Sequence, residues 1–149
     1  MNDQPEKEHL LGRTCPRCGK AVLVTHHAHM ANYEELGRFR VRAEYVKCPK
    51  CDFAAYTHRG HRQQGENTIR RIQTLLKRYW PMSRNLYLTI DETAEATGLL
   101  KTYLEGIGGC LFFFMEVCGE RMFLKKSVDT FLKDRYSGWF RLLPAGVEE

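Results

Sequence analysis

Two short motifs, Cys15-Pro16-Arg17-Cys18 and Cys48-Pro49-Lys50-Cys51, constrain this chain more than any other feature. Two cysteines separated by two residues curl around a single ion, and the loop backbone can donate N–H groups to the thiolates. Two such pairs complete a tetrahedral tetrathiolate site. The 29 residues between Cys18 and Cys48 leave room for a hairpin that brings the second knuckle beside the first. Arg17, Lys20 and Lys50 offset part of the negative charge of such a centre. Protein fills every coordination position, so no place is left for a catalytic water and the expected role of the ion is structural. The surrounding apolar residues are sparse: Ala21–Val24, then Phe39, Val41, Ala43, Tyr45 and Val46. A segment with so little to bury needs a staple, and the ion supplies it.

The arrangement resembles a zinc ribbon over residues 10–60, about a third of the chain. Phe39 to Val46 alternates with Arg38, Arg40, Arg42 and Glu44, the period of a half-exposed strand, and Phe53–Thr57 offers a third strand. The spacing is also compatible with rubredoxin, an iron protein, but the arginines stand where rubredoxins carry acidic, aromatic-rich sequence. One Zn2+ held by Cys15, Cys18, Cys48 and Cys51 is therefore expected. Cys110 and Cys118 lie among apolar residues without matching spacing and read as buried, inert thiols. His26, His27 and His29, with His58 and His61 further on, match no compact ligand pattern and read as a polar loop.

At 149 residues, with 43% hydrophobic and 28% charged, the chain has the composition of a globular protein. No run approaches the roughly 20 apolar residues of a membrane span. The polar, acidic start shows no basic-then-apolar leader, so a cytoplasmic location is expected, with metal binding rather than disulfides.

The net charge of +5 is unevenly placed: residues 59–80 hold six Lys/Arg and one acid, while residues 81–149 hold eight and ten. A polar stretch (Gly60, Gln63, Gln64, Gly65) precedes a helix expected from Thr68 to Trp80, ended by Pro81. Its apolar residues Ile69, Ile72, Leu75, Leu76, Tyr79 and Trp80 span roughly 140° at 100° per residue, opposite Arg70, Arg71, Lys77 and Arg78. That arc can pack on its own chain or on a second copy in a homodimer. The basic linker helix is placed within residues 61–85, with Arg59 and Arg62 just before or at its start.

Residues 86–137 are more strongly punctuated. Thr89 and Glu92 fit a capping box ahead of a short helix that Gly98 ends. A second helix, Leu99 to Glu105, breaks at Gly106, Gly108 and Gly109. A strand Leu111–Val117, a tight turn at Cys118-Gly119-Glu120 and a returning strand Arg121–Leu124 follow. Val128, Phe131 and Leu132 mark a closing helix, and residues 138–149 read as a C-terminal tail.

This order is similar to an excisionase- or MerR-type winged helix–turn–helix. The resemblance implies a second helix in the major groove and a wing on the backbone. Carried over, base-edge candidates are Lys101, Thr102 and Tyr103, with Arg121, Lys125 and Lys126 beside the wing. The basic residues Arg59, Arg62, Arg70, Arg71, Lys77 and Arg78 would clamp phosphates. Departures stand out: Leu99 follows the turn glycine, and the second helix lacks Arg, Asn or Gln for bidentate base reading. A four-cysteine ribbon joined to a DNA-binding domain also resembles the MqsA type of antitoxin in its division of labour.

The expected fold class is α+β: a small three-stranded ribbon, a basic linker helix and a C-terminal winged helix. Double-stranded DNA is the leading partner and transcription regulation the leading function. The alternative is an adaptor or antitoxin-like protein whose ribbon and apolar strand Leu111–Val117 bind a protein. No phosphate-binding Gly-rich loop, nucleophile elbow or His-Glu metalloprotease signature is present, so no catalytic role is expected.

Overall fold

The computed structural model describes residues 10–143. Three-stranded and short antiparallel sheets combine with helices in an α+β fold, and the chain divides into two compact units. One unit contains the described residues through Asn32 together with Arg38–Arg70. The other contains Tyr33–Gly37 and the described residues from Arg71 onward.

In the first unit the sheet runs β1-β2-β3, formed by β1 (Val24–Tyr33), β2 (Gly37–Lys47) and β3 (Ala54–Tyr56). The alternation along β2 sorts as expected: Phe39, Val41 and Ala43 are buried, while Arg38, Arg40 and Arg42 are exposed. His26, His27 and His29 lie on β1, not on a loop. A strand tolerates this polar run because Leu23, Ala31 and the facing β2 residues supply the buried surface.

Helix α1 spans His58–Tyr79, beginning ten residues earlier than the apolar spacing alone indicates. Tertiary contacts explain the difference. β3 pairs with β2 only at Tyr45–Lys47, so the β2 edge before it is open. Gln63 accepts the Glu44 N–H through Oε1 at 3.0 Å, and Asn67 Nδ2 donates to the Arg42 carbonyl at 2.8 Å. The polar residues that look like a loop thus satisfy a strand edge from one helix face. Thr57 caps the helix: its hydroxyl donates to Glu44 Oε1 at 2.7 Å and accepts the Gly60 N–H at 3.1 Å.

In the second unit β4 (Tyr87–Leu88), β6 (Glu120–Leu124) and β5 (Phe114–Val117) form an antiparallel sheet in the order β4-β6-β5. Helices α2 (Ile90–Thr97), α3 (Lys101–Gly106) and α4 (Lys125–Asp134) accompany it. The capping box at Thr89 and Glu92 is formed, and Gly98 ends α2 in the left-handed conformation at φ 74°. Cys118 and Gly119, at φ 52° and 79°, make the two-residue hairpin turn.

Leu104, Phe112, Phe123 and Val128 are the buried centre of this unit. Phe112 meets Phe123 and Phe131 edge-on, with ring centroids 5.7 and 5.2 Å apart. Three expectations need correction. The strand covers Phe114–Val117 rather than starting at Leu111, because a 3-10 turn occupies Gly108–Cys110 and Gly109 approaches the Phe114 ring too closely for any side chain. Cys110 and Cys118 are exposed, not buried, since both fall on turns. Residues 138–143 pack instead of trailing: Ser127 Oγ donates to the Gly138 carbonyl at 2.7 Å, Trp139 meets Phe113 at 4.2 Å, and Leu142 and Leu143 are buried. The remainder of the expected tail, 144–149, lies outside the described residues. Within the apolar arc of α1, Leu75 and Leu76 are fully buried but Ile69 is 54% exposed.

Two glycines of α1 yield opposite expectations. A Cβ on Gly60 would stand 1.6 Å from the Glu44 carbonyl oxygen, whereas one on Gly65 meets nothing within 4 Å. Gly60→Ala should therefore lower unfolding free energy by about 2–3 kcal/mol or more. Gly65→Ala should raise it by about 0.5–1 kcal/mol. Urea unfolding of the metal-loaded chain measures both.

Candidate metal centre and basic surfaces

The first knuckle is built by a small hairpin. Thr14 bridges Val22, Cys15 N–H donates to the Ala21 carbonyl at 2.8 Å, and Leu23 N–H donates to Arg13 at 2.8 Å. Gly19, at φ 65°, closes the loop with its N–H on the Cys15 carbonyl at 2.9 Å. In the second knuckle Cys48 N–H donates to the Phe53 carbonyl at 2.9 Å, and the Lys50 N–H reaches Cys48 Sγ at 3.4 Å. Arg17 lies over the Phe53 ring at 5.9 Å, linking the two loops.

All four sulfurs of Cys15, Cys18, Cys48 and Cys51 fall within 4.8 Å of one another. Cys15–Cys51 and Cys18–Cys48 are each 3.6 Å apart. A disulfide needs about 2.05 Å. A tetrahedron with metal–sulfur bonds of about 2.3 Å has edges near 3.8 Å, so the residues fit one tetrahedral ion. Cys15 and Cys48 are buried with Leu23 and Val46, and Leu10, Ala21, Phe53 and Ala55 pack around them. The cluster is consistent with a zinc-binding ribbon.

The thiols are unequal. Burial raises Cys15, but the N–H groups of Cys18 and Arg17 and the neighbouring thiols of Cys51 and Cys48 more than reverse this, bringing it to about 6. Against the same burial, the N–H groups of Lys50 and Cys51 lower Cys48. For Cys51 the Phe53 N–H favours the thiolate, yet burial and the three other sulfurs push it up to about 12. The shifts of Cys15 and Cys51 run in opposite directions, so binding of a cation is coupled to loss of the Cys51 proton.

The structure disperses the basic residues selected from the sequence. At 100° per residue, Arg59, Arg62 and Arg70 lie within about 80° of each other on α1, all exposed and all in the first unit. Glu66 is the one acid on that line. Lys77 continues the same line of the helix. Arg71 and Arg78 point roughly 100° away: Arg71 is half-buried, and burial followed by the Arg78 charge lowers its pKa. The Arg78 guanidinium lies 5.9 Å from the Tyr79 ring.

In the second unit several candidates are engaged. Lys101 pairs with Asp91 at 2.5 Å. Arg121 donates to the Leu104 and Gly106 carbonyls at 3.3 Å and covers the Phe114 ring at 4.7 Å. Lys126 stands 4.6 Å over Phe140 and 5.4 Å over Trp80. Thr102 and Lys125 are exposed and Tyr103 half-buried. Thr89, Asp91, Lys101, Glu105, Glu116, Glu120 and Arg121 line a groove of about 580 Å³ between α2, α3 and the β5–β6 turn. Four carboxylates face two cations there.

Sequence reasoning missed an aromatic group on the ribbon sheet. Tyr45 and Tyr56 are register partners on β2 and β3. From β1, His26 stacks on Tyr45 with centroids 5.1 Å apart, and His29 meets Tyr45 edge-on at 5.4 Å. The Tyr56 hydroxyl and His29 Nε2 are 2.6 Å apart. The signal lay in strand pairing, which spacing along the chain does not show.

Among the described residues, no helix is long and apolar enough to cross a membrane. Compared with models of known protein families, with curated proteins and with solved structures, the chain matches none.

Loading with Zn2+ at pH 7.5 should release protons, Cys51 contributing one, while Cys15 is already ionised. Affinity should rise with pH and collapse as pH falls through about 6, where Cys15 too becomes protonated. Titration calorimetry in two buffers of different ionisation enthalpy counts the protons. Cys18→Ser should abolish stoichiometric metal and bring amide exchange across β1–β3 close to unprotected rates.

Proposed function

We propose that this is a zinc-organised DNA-binding protein, a regulator in which the ribbon is a structural platform, α1 supplies phosphate contacts and the second unit is a winged helix. The line Arg59, Arg62 and Arg70 carries this reading: three exposed guanidiniums on one face of a helix whose start is fastened to β2. Guanidiniums suit phosphate by geometry as well as charge. Four thiolates suit either zinc or iron; Zn2+ is favoured because Arg38, Arg40 and Arg42 stand where rubredoxins carry acidic, aromatic-rich sequence. The protein is on this reading a binding module without catalysis.

The second unit contributes little to phosphate binding. Lys101 is held by Asp91, and the groove beside α3 is net acidic, which repels a duplex. One observation there favours a second reading, a protein-docking role for this unit. Leu100 and Ile107, at either end of α3, are 74% and 52% exposed. The run 111–117 cannot serve that role, because Phe112, Phe113 and Met115 are buried.

Fluorescence anisotropy with a random duplex separates the readings. Three phosphate contacts give a slope of log K against log salt near −2.7. Replacing Arg59, Arg62 and Arg70 with Gln should flatten that slope to near zero, while Lys101→Ala leaves it unchanged. Undetectable binding at low salt by the metal-loaded chain would overturn the DNA reading and leave the docking role.

A further inference from the structure

The geometry points to a second, distinct ligand site on the first unit: the aromatic face of the ribbon sheet is a stacking platform for the unpaired bases of a single-stranded nucleic acid. His29, Tyr45, Lys47, Ala54, Ala55 and Tyr56, with Asp52, line a groove of about 440 Å³, within the range of small-ligand clefts. An adjoining groove of about 550 Å³ shares Lys47 and Asp52 and extends past His26 and Lys50 to the second knuckle. Together they form an open track lined by four rings, with two lysines against one carboxylate.

The rings are fixed before any ligand arrives. The carbonyl of Met30 accepts from His29 Nδ1 at 3.2 Å, and His29 Nε2 and the Tyr56 hydroxyl share a hydrogen bond of 2.6 Å. Tyr45 and Tyr56 are anchored by the β2–β3 ladder, and exposed His26 already stacks on Tyr45 at an interplanar angle of 15°. A base placed on His26 extends a column that exists, so little side-chain entropy is lost on binding. Lys47 and Lys50 stand where a chain running along the track carries its phosphates.

A duplex does not fit this site, because its base faces are already stacked on one another. Unpaired bases present their faces, and base–ring stacking with a cationic groove is the means by which single strands are held without sequence preference. DNA and RNA share this chemistry. The inference uses no residue of the α1 arginine line, so it stands or falls independently of duplex binding.

The test is anisotropy of labelled dT12, U12, an abasic 12-mer and a duplex against the zinc-loaded full chain. Tyr45→Leu and His26→Ala should each weaken dT12 or U12 by about fivefold or more. Lys47→Gln should reduce the salt slope by about 0.7. Duplex affinity should be unchanged in all three. Whichever of dT12 and U12 binds tighter identifies the source. Zinc content confirms folding of each variant, and exposed His26 keeps the test decisive if Tyr45→Leu does not fold. The proposal is overturned if the zinc-loaded variants bind dT12 and U12 as the parent does, if the abasic chain binds equally well, or if neither oligonucleotide binds.

Discussion

Four sulfurs from two loops, held 3.6 Å apart at the closest pairs, are the constraint from which the rest of the first unit follows. Among the described residues, Cys15, Leu23, Val46 and Cys48 are buried around them, with Leu10, Ala21, Phe53 and Ala55 packed against the cluster. Two of those four buried residues are cysteines of the candidate site, so without an ion this end of the sheet holds a crowded set of ionisable thiols. The strands also bury Ala31, Phe39, Val41 and Ala43, so the apolar surface at the cysteine end of the sheet is only part of what holds them. Coordination of one ion by the four sulfurs would tie the two loops together at that end. The second unit differs in kind: its phenyl rings, with Leu104 and Val128, form a core that needs no ion.

Once β2 is positioned, its open edge determines α1. A strand edge with unmet N–H and C=O groups invites pairing with another chain. Here Gln63 and Asn67, four residues apart on one helix face, take the places of ladder partners at Glu44 and Arg42. Gly60 permits the approach, since any side chain there would meet the Glu44 backbone. Arg59, Arg62 and Arg70 adjoin this face rather than oppose it, with Arg70 about 20° from Gln63 around the helix, and all three are exposed.

Features with local causes were legible in the sequence. Each of the two cysteine pairs, the capping box at Thr89, the left-handed Gly98 and the Cys118-Gly119 turn depends on residues within a few positions of one another. The start of α1 was not, because Gly60 and Gly65 argue against a helix unless the strand edge beside them is known. Nor was the fate of Cys110 and Cys118: apolar neighbours suggested burial, but both thiols fall on turns that no burial requirement reaches. Charge counts misled in a similar way. The local excess at residues 59–80 treats six cations as equivalent, whereas helix geometry separates Arg71 and Arg78 from the line of Arg59, Arg62 and Arg70.

The aromatic platform has its origin in a change of face along β2. Phe39, Val41 and Ala43 are buried on one side of the strand, then Val46 and Cys48 on the other. Tyr45 shares its side with the first group but lies beyond the point where burial has switched to the metal-facing side. Its ring is therefore left half-exposed at a position held by ladder pairing to Tyr56 and by the knuckle that follows. A purely alternating strand would have buried that side throughout or exposed it throughout. An ion held at Cys48 would therefore bear on a ring three residues away: with Val46 and Cys48 buried on one side of the strand, Tyr45, and with it His26, is presented on the other.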